Sequence, residues 1–102
     1  MTIFTWPEGA DRNDPDTATK LMVINGSYLR RDGKLVLDSL SKVYLCATKI
    51  NDSLDVQLQG QPVINALLRS PQEPAKVYLN GQPIELIYDR KAKNLWLPVR
   101  TR

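Results

Sequence analysis

Apolar and polar side chains alternate one for one along much of this chain, the period of a β-strand with one buried and one wet face. Leu54, Val56 and Leu58 point one way while Asp55, Gln57 and Gln59 point the other. In the same manner Val43, Leu45 and Ala47 oppose Tyr44 and Cys46, Val77 and Leu79 oppose Tyr78, Ile84, Leu86 and Tyr88 oppose Glu85 and Ile87, and Leu95, Leu97 and Val99 oppose Trp96. The pattern predicts strands over 20–24, 27–31, 34–37, 42–48, 53–59, 62–69, 75–79, 83–88 and 94–99, most of them of ordinary strand length. No window holds a 3.6-residue period for more than a turn or two. Seven prolines interrupt most candidate helices, since proline removes a helix donor and clashes with the preceding turn. The segment 63–69 is the one helix candidate, and Pro62 and Pro71 bracket it.

Asn25-Gly26, Asp32-Gly33 and Asn80-Gly81 each supply the positive φ that a two-residue type I′ hairpin demands, so the strands are expected to run as a meander. Many short antiparallel strands in one open sheet would leave an apolar face in water. The expected fold is therefore all-β, an antiparallel β-sandwich of about 8–9 short strands, immunoglobulin-like or jelly-roll-like. Residues 1–18 are rich in Asp, Pro, Thr and Gly and carry no apolar period beyond Ile3, Phe4 and Trp6. They read as an N-terminal arm or linker, with 19–102 as the sandwich domain.

Composition narrows the chemistry more than it names it. With 102 residues, 42% of them hydrophobic and 25% charged, one domain is expected, large enough to fold without staples. The single Cys46 can form no internal bridge and fixes no compartment. Met1 to Ala10 lacks a basic stretch followed by an apolar one, and nowhere do about 18 apolar residues run together, so neither a leader nor a membrane span is expected. The chain has no histidine, which removes histidine-based triads and histidine-ligated metal sites. Cys46, between Leu45 and Ala47 on a strand, reads as a buried inert thiol. The five glycines stand singly in turns and form no phosphate loop.

Asp11, Asn13, Asp14 and Asp16 superficially resemble a calcium loop. Pro15 stands where a third ligand belongs and the turn glycine is missing, so a turn-rich linker is the better reading and no metal or cofactor is expected. Two of the eleven carboxylates could hydrolyse a glycosidic bond only if a cleft spaced them suitably, and a sandwich this small rarely encloses one. The net charge of +3 is small and scattered except for Arg90, Lys91, Lys93, Arg100 and Arg102. These read as a solvated turn and tail, so no nucleic-acid partner is expected.

The aromatics are the remaining candidates. Tyr78 and Trp96 lie opposite their strands' aliphatic rows, and Ile87 shares that side of the intervening strand. If the last three strands pair consecutively, the three side chains form an outer patch, suited to docking on a neighbouring protein or to stacking sugar rings. The bland alternative is that they cover a sandwich edge against Phe4 or Trp6.

The segment AKVYLNGQPIELIYDRKAKNLWLPV, through Val77 to Leu79, Asn80-Gly81, Ile84 to Asp89, Arg90 to Lys93 and Leu95 to Val99, resembles a hairpin of the accessory β-sandwich domains at the ends of bacterial glycoside hydrolases and polysaccharide lyases. The resemblance covers about a quarter of the chain. It implies a non-catalytic domain that packs on a parent catalytic domain or extends its carbohydrate-binding surface, with Tyr78 and Trp96 as contacts. The expected function is a non-enzymatic accessory or interaction domain with a protein partner, with carbohydrate binding or a structural, oligomer-forming role as alternatives.

Overall fold

The structure, a computed structural model, describes residues 1–60 and 63–100; Pro62 and Arg102 lie outside the described residues. The chain is nearly all β, with 62% of it in strands, and its sheet is mixed and curled into a half-barrel. The strands are β1 (Thr2–Thr5), β2 (Lys20–Arg31), β3 (Lys34–Ile50), β4 (Ser53–Gln59), β5 (Val63–Arg69), β6 (Lys76–Leu79), β7 (Gln82–Ile84), β8 (Tyr88–Asp89) and β9 (Asn94–Arg100). Among the described residues the only helical turn is a 3-10 turn over Pro15–Thr17, and no helix is long and apolar enough to cross a membrane. The segment 63–69 is strand β5.

The expected meander is replaced by a single hydrogen-bonded sheet of order β7-β6-β4-β3-β5-β9-β8, with β2 pairing β3 and β1 pairing β2. Pairing is antiparallel except between β4 and β6, which run parallel, Leu54 opposite Val77 and Val56 opposite Leu79. The long strand β3 organises the rest. Its first half pairs with β5 through Leu37, Asp38 and Ser39, and its second half pairs with β4 from Tyr44 to Ile50. The register against β2 slips between Gly26 opposite Val43 and Tyr28 opposite Asp38, and this irregularity lets one strand serve both wings of the sheet.

Asn25-Gly26 is not a hairpin turn. It is a bulge inside β2, where Ile24 faces Tyr44 and Gly26 faces Val43, leaving Asn25 unpaired at φ 56°. The flanking segments pair with the same long β3 rather than with each other, so no reversal is needed. The other two dipeptides turn as expected, Asp32-Gly33 with φ 53° and 71° and Asn80-Gly81 with φ 51° and 82°, the double positive φ of a type I′ turn.

The expected strand 83–88 is divided between the two ends of the sheet, β7 at one and β8 at the other. Laid flat, the six inter-strand spacings of that path span about 29 Å, whereas the chain from Ile84 to Tyr88 reaches about 14 Å. The short link from β7 to β8 therefore holds the sheet curled, and the concave side becomes the core. There Leu37, Val43, Val56, Leu58, Ala66, Leu95 and Leu97 are fully buried, and burial of each larger aliphatic side chain stabilises by about 1.5–3 kcal/mol. The facing of Val43, Leu45 and Ala47, of Leu54, Val56 and Leu58, of Val77 and Leu79, and of Leu95 and Leu97 follows the alternation in the sequence.

Candidate functional site

Residues 1–18 are tied into the domain rather than trailing from it. Thr2–Thr5 add β1 to β2, and the 3-10 turn carries acidic side chains onto the basic residues of β3 and β5. Asp16 forms a two-pronged pair with Arg69, whose Nη2 donates to Oδ2 at 2.9 Å, and Lys34 Nζ donates to Asp14 Oδ1 at 2.9 Å and Asp16 Oδ2 at 3.1 Å. The Arg69 hydrogen bonds hold the Asp16 carboxyl at about 2 against partial burial, and Lys34 holds Asp14 below its ordinary value. The Asp14 carboxylate also accepts from Asp16 N, and that of Asp11 from Asn13 N. The carboxylates of the apparent calcium loop are thus engaged in turns and ion pairs.

Beside this network a cleft of about 350 Å³ is lined by Lys49, Asn51, Asp52, Ser53, Ser70, Gln72 and Glu73, among others. Burial pushes the Lys49 ammonium down, while its Nζ donates to the Asp16 carbonyl at 3.2 Å. Lys49 N donates to the Thr19 carbonyl. The ammonium thus bonds the 3-10 turn and the backbone bonds Thr19, just ahead of β2, which fits a bracing role.

The three residues singled out from the sequence are only partly gathered. Trp96 N donates to the Ile87 carbonyl at 3.0 Å, which puts those two side by side, and Trp96 faces Leu67 on β5. Tyr78 stands on β6 between Asp55 and Pro83, and β6 and β9 are not neighbours in the sheet. Phe4 and Trp6 stack on each other at 5.0 Å with the Arg31 guanidinium over both rings, and the Trp6 indole N–H bonds the Asp14 carbonyl.

A second outward surface is more continuous. Ile3 faces Met22 and Met22 faces Cys46, while Ile24 faces Tyr44. Directly opposed residues share a face, so these five side chains form two rows across β1, β2 and β3. Tyr44 is 54% exposed, Ile3 45% and Ile24 36%. Gln57 and Gln59 of β4 border the rows, opposite Cys46 and Tyr44, and a depression of about 270 Å³ lies between β2, β3 and β4. The alternation in the sequence sets Tyr44 and Cys46 opposite a core row, and the β2–β3 register adds Met22 and Ile24 to them. The signal for the latter two is the run Leu21-Met22-Val23-Ile24, apolar on both faces of a strand that needs only one face buried.

Comparison of the chain with protein families, with curated proteins and with solved structures finds no match.

Proposed function

We propose that the chain is a non-catalytic interaction domain that docks on a protein partner through the outward face around Ile24 and Tyr44. The observation that carries this reading is the registration of Ile3, Met22, Ile24, Tyr44 and Cys46 into two adjoining apolar rows, three of the five side chains being exposed. Contiguous apolar surface with a polar rim is what protein contacts bury. In this reading the two wings of the curled sheet act as the layers of a sandwich-like scaffold. The partner surface is that of a larger neighbour, such as the catalytic domain of a carbohydrate-active protein that the resemblance of residues 75–99 implies.

The test places a photo-reactive amino acid at Tyr44 and, as a control, at the exposed Asn65 of β5. A discrete protein adduct is expected at position 44 alone, to be reproduced with the purified partner and lost on Ile24→Lys. Equal adducts at both positions would overturn the docking face. Polysaccharide binding that disappears with Trp96→Ala would replace the reading with sugar recognition.

A further inference from the structure

Among the described residues, strands β1, β7 and β8 each pair with a single neighbour, and these edges are not alike. Pro83 removes a donor from β7, and β8 is two residues long and leads into Arg90, Lys91 and Lys93. Proline, brevity and charge are the usual devices that stop an edge from pairing with another chain. Strand β1, Thr2–Thr5, carries no charged side chain and no proline within it.

The phase of its hydrogen bonds is fixed at Met1, whose N donates to the Ile24 carbonyl and whose carbonyl accepts from Ile24 N. In an antiparallel ladder the bonded residues alternate with residues whose N–H and C=O point away. Since Met1 is bonded to β2, so is Ile3 by this alternation, and the main-chain groups of Thr2 and Phe4 face the free edge. The outward side chain between them is Ile3.

We propose that β1 pairs antiparallel with β1 of a second copy of this chain about a two-fold axis at Ile3. The pairing rests on the interaction-domain reading and adds to its docking face a second contact, between copies of the chain at the neighbouring edge strand. A two-fold at Ile3 sets Thr2 opposite Phe4 of the copy and Phe4 opposite its Thr2. Both pairs have the free donors and acceptors that such pairing requires, so the edge is complementary to itself. The same axis brings the two Ile3 side chains together on the outer face. The row Cys46, Met22, Ile3 then runs on into its symmetric counterpart, and one apolar strip crosses both chains. Four residues per strand make a small interface, which sets a weak, concentration-dependent dimer.

The test is sedimentation of the described chain over a concentration series, with three variants. Thr2→Pro removes an outward N–H and leaves the Met1 and Ile3 bonds to β2, and proline is tolerated at an edge. It is expected to lower the association constant about tenfold or more. Ile3→Lys and Ile3→Glu each set like charges directly opposite each other and are expected to be monomeric, whereas their equimolar mixture regains the dimer through opposite charges. Circular dichroism and Tm, unchanged in all three, confirm folding. A wild-type chain that stays monomeric, a Thr2→Pro chain that associates as well as wild type, or a mixture that does not recover overturns the self-pairing. Self-pairing fails alone if the position-44 adduct to another protein persists, and the interaction-domain reading fails with it if that adduct is missing too.

Discussion

The Asn80 side chain pairs with the backbone of Leu58 as if it were another residue of a strand: Leu58 N donates to Asn80 Oδ1 at 2.8 Å and Asn80 Nδ2 donates to the Leu58 carbonyl at 3.0 Å. Its own N–H bonds the Val56 carbonyl at 2.8 Å. The parallel β6 has turned away by this point, so the amide continues the ladder along β4. One residue therefore supplies the positive φ of the β6–β7 turn and three hydrogen bonds to a different strand, two of them from its side chain. Asn80→Gly retains the turn conformation and loses the amide pair. It is expected to destabilise by about 1–2 kcal/mol in urea denaturation, and an unchanged midpoint would show that the pair contributes nothing.

Asp16 links the N-terminal segment to β5, and its carboxyl sits at about 2 against an ordinary 3.8. A carboxyl held low in the folded state stabilises fully above its unfolded value, and that contribution is lost as pH falls through 3.8 toward about 2. The amount is on the order of 2 kcal/mol. Asp16→Asn is expected to cost a similar amount near neutral pH, because it leaves the largely buried Arg69 without its partner, and to flatten the stability profile in that acid window. A mutant profile parallel to the wild type would assign the acid sensitivity to other groups.

The apolar rows of the outer face predict a separation between stability and association. Tyr44 is half-exposed while its neighbours Val43 and Leu45 are buried. Tyr44→Lys is thus expected to leave Tm within a degree or two, as surface substitutions do, and to abolish the position-specific partner contact. Leu45→Ala, on the opposite face of the same strand, is expected to cost about 2–5 kcal/mol. Thermal unfolding of the two variants side by side checks the assignment of faces.

The sequence revealed the faces and concealed the connections. Alternation at Val43 to Ala47 and at Leu54 to Leu58 reports which side chains meet the core, because a strand buries every second residue whatever its partner. Pairing is a long-range choice that such a period does not record. Nothing local to Lys76–Leu79 indicates a parallel partner in β4, nor does 83–88 show that its two ends join opposite edges of the sheet. The same limit governed the candidate site. Consecutive pairing would bring Tyr78 and Trp96 together, and the strand order parts them, whereas the Ile24–Tyr44 pair depends on a β2–β3 register that only the fold supplies. Asp16 was legible as a turn residue and illegible as the partner of Arg69, 53 positions away.

Gly26 illustrates how an Asn-Gly pair can serve a purpose other than reversal. Its φ is not positive; what requires glycine is space, since a Cβ at this position would lie 2.9 Å from Val23 Cγ1. Val23 is buried and, being β-branched, has little rotameric freedom to withdraw. Gly26→Ala therefore forces either the bulge or the core beneath it to shift and is expected to cost about 1–3 kcal/mol. Gly81→Ala meets open space at φ 82° and should cost only about 1 kcal/mol, from backbone strain alone. Replacing Val23 with Ala in the Gly26→Ala background removes the clashing methyls, so the double mutant should be less destabilised than the sum of the single changes. Strict additivity in chemical denaturation would mean that the glycine is needed for backbone conformation and not for the close approach to Val23.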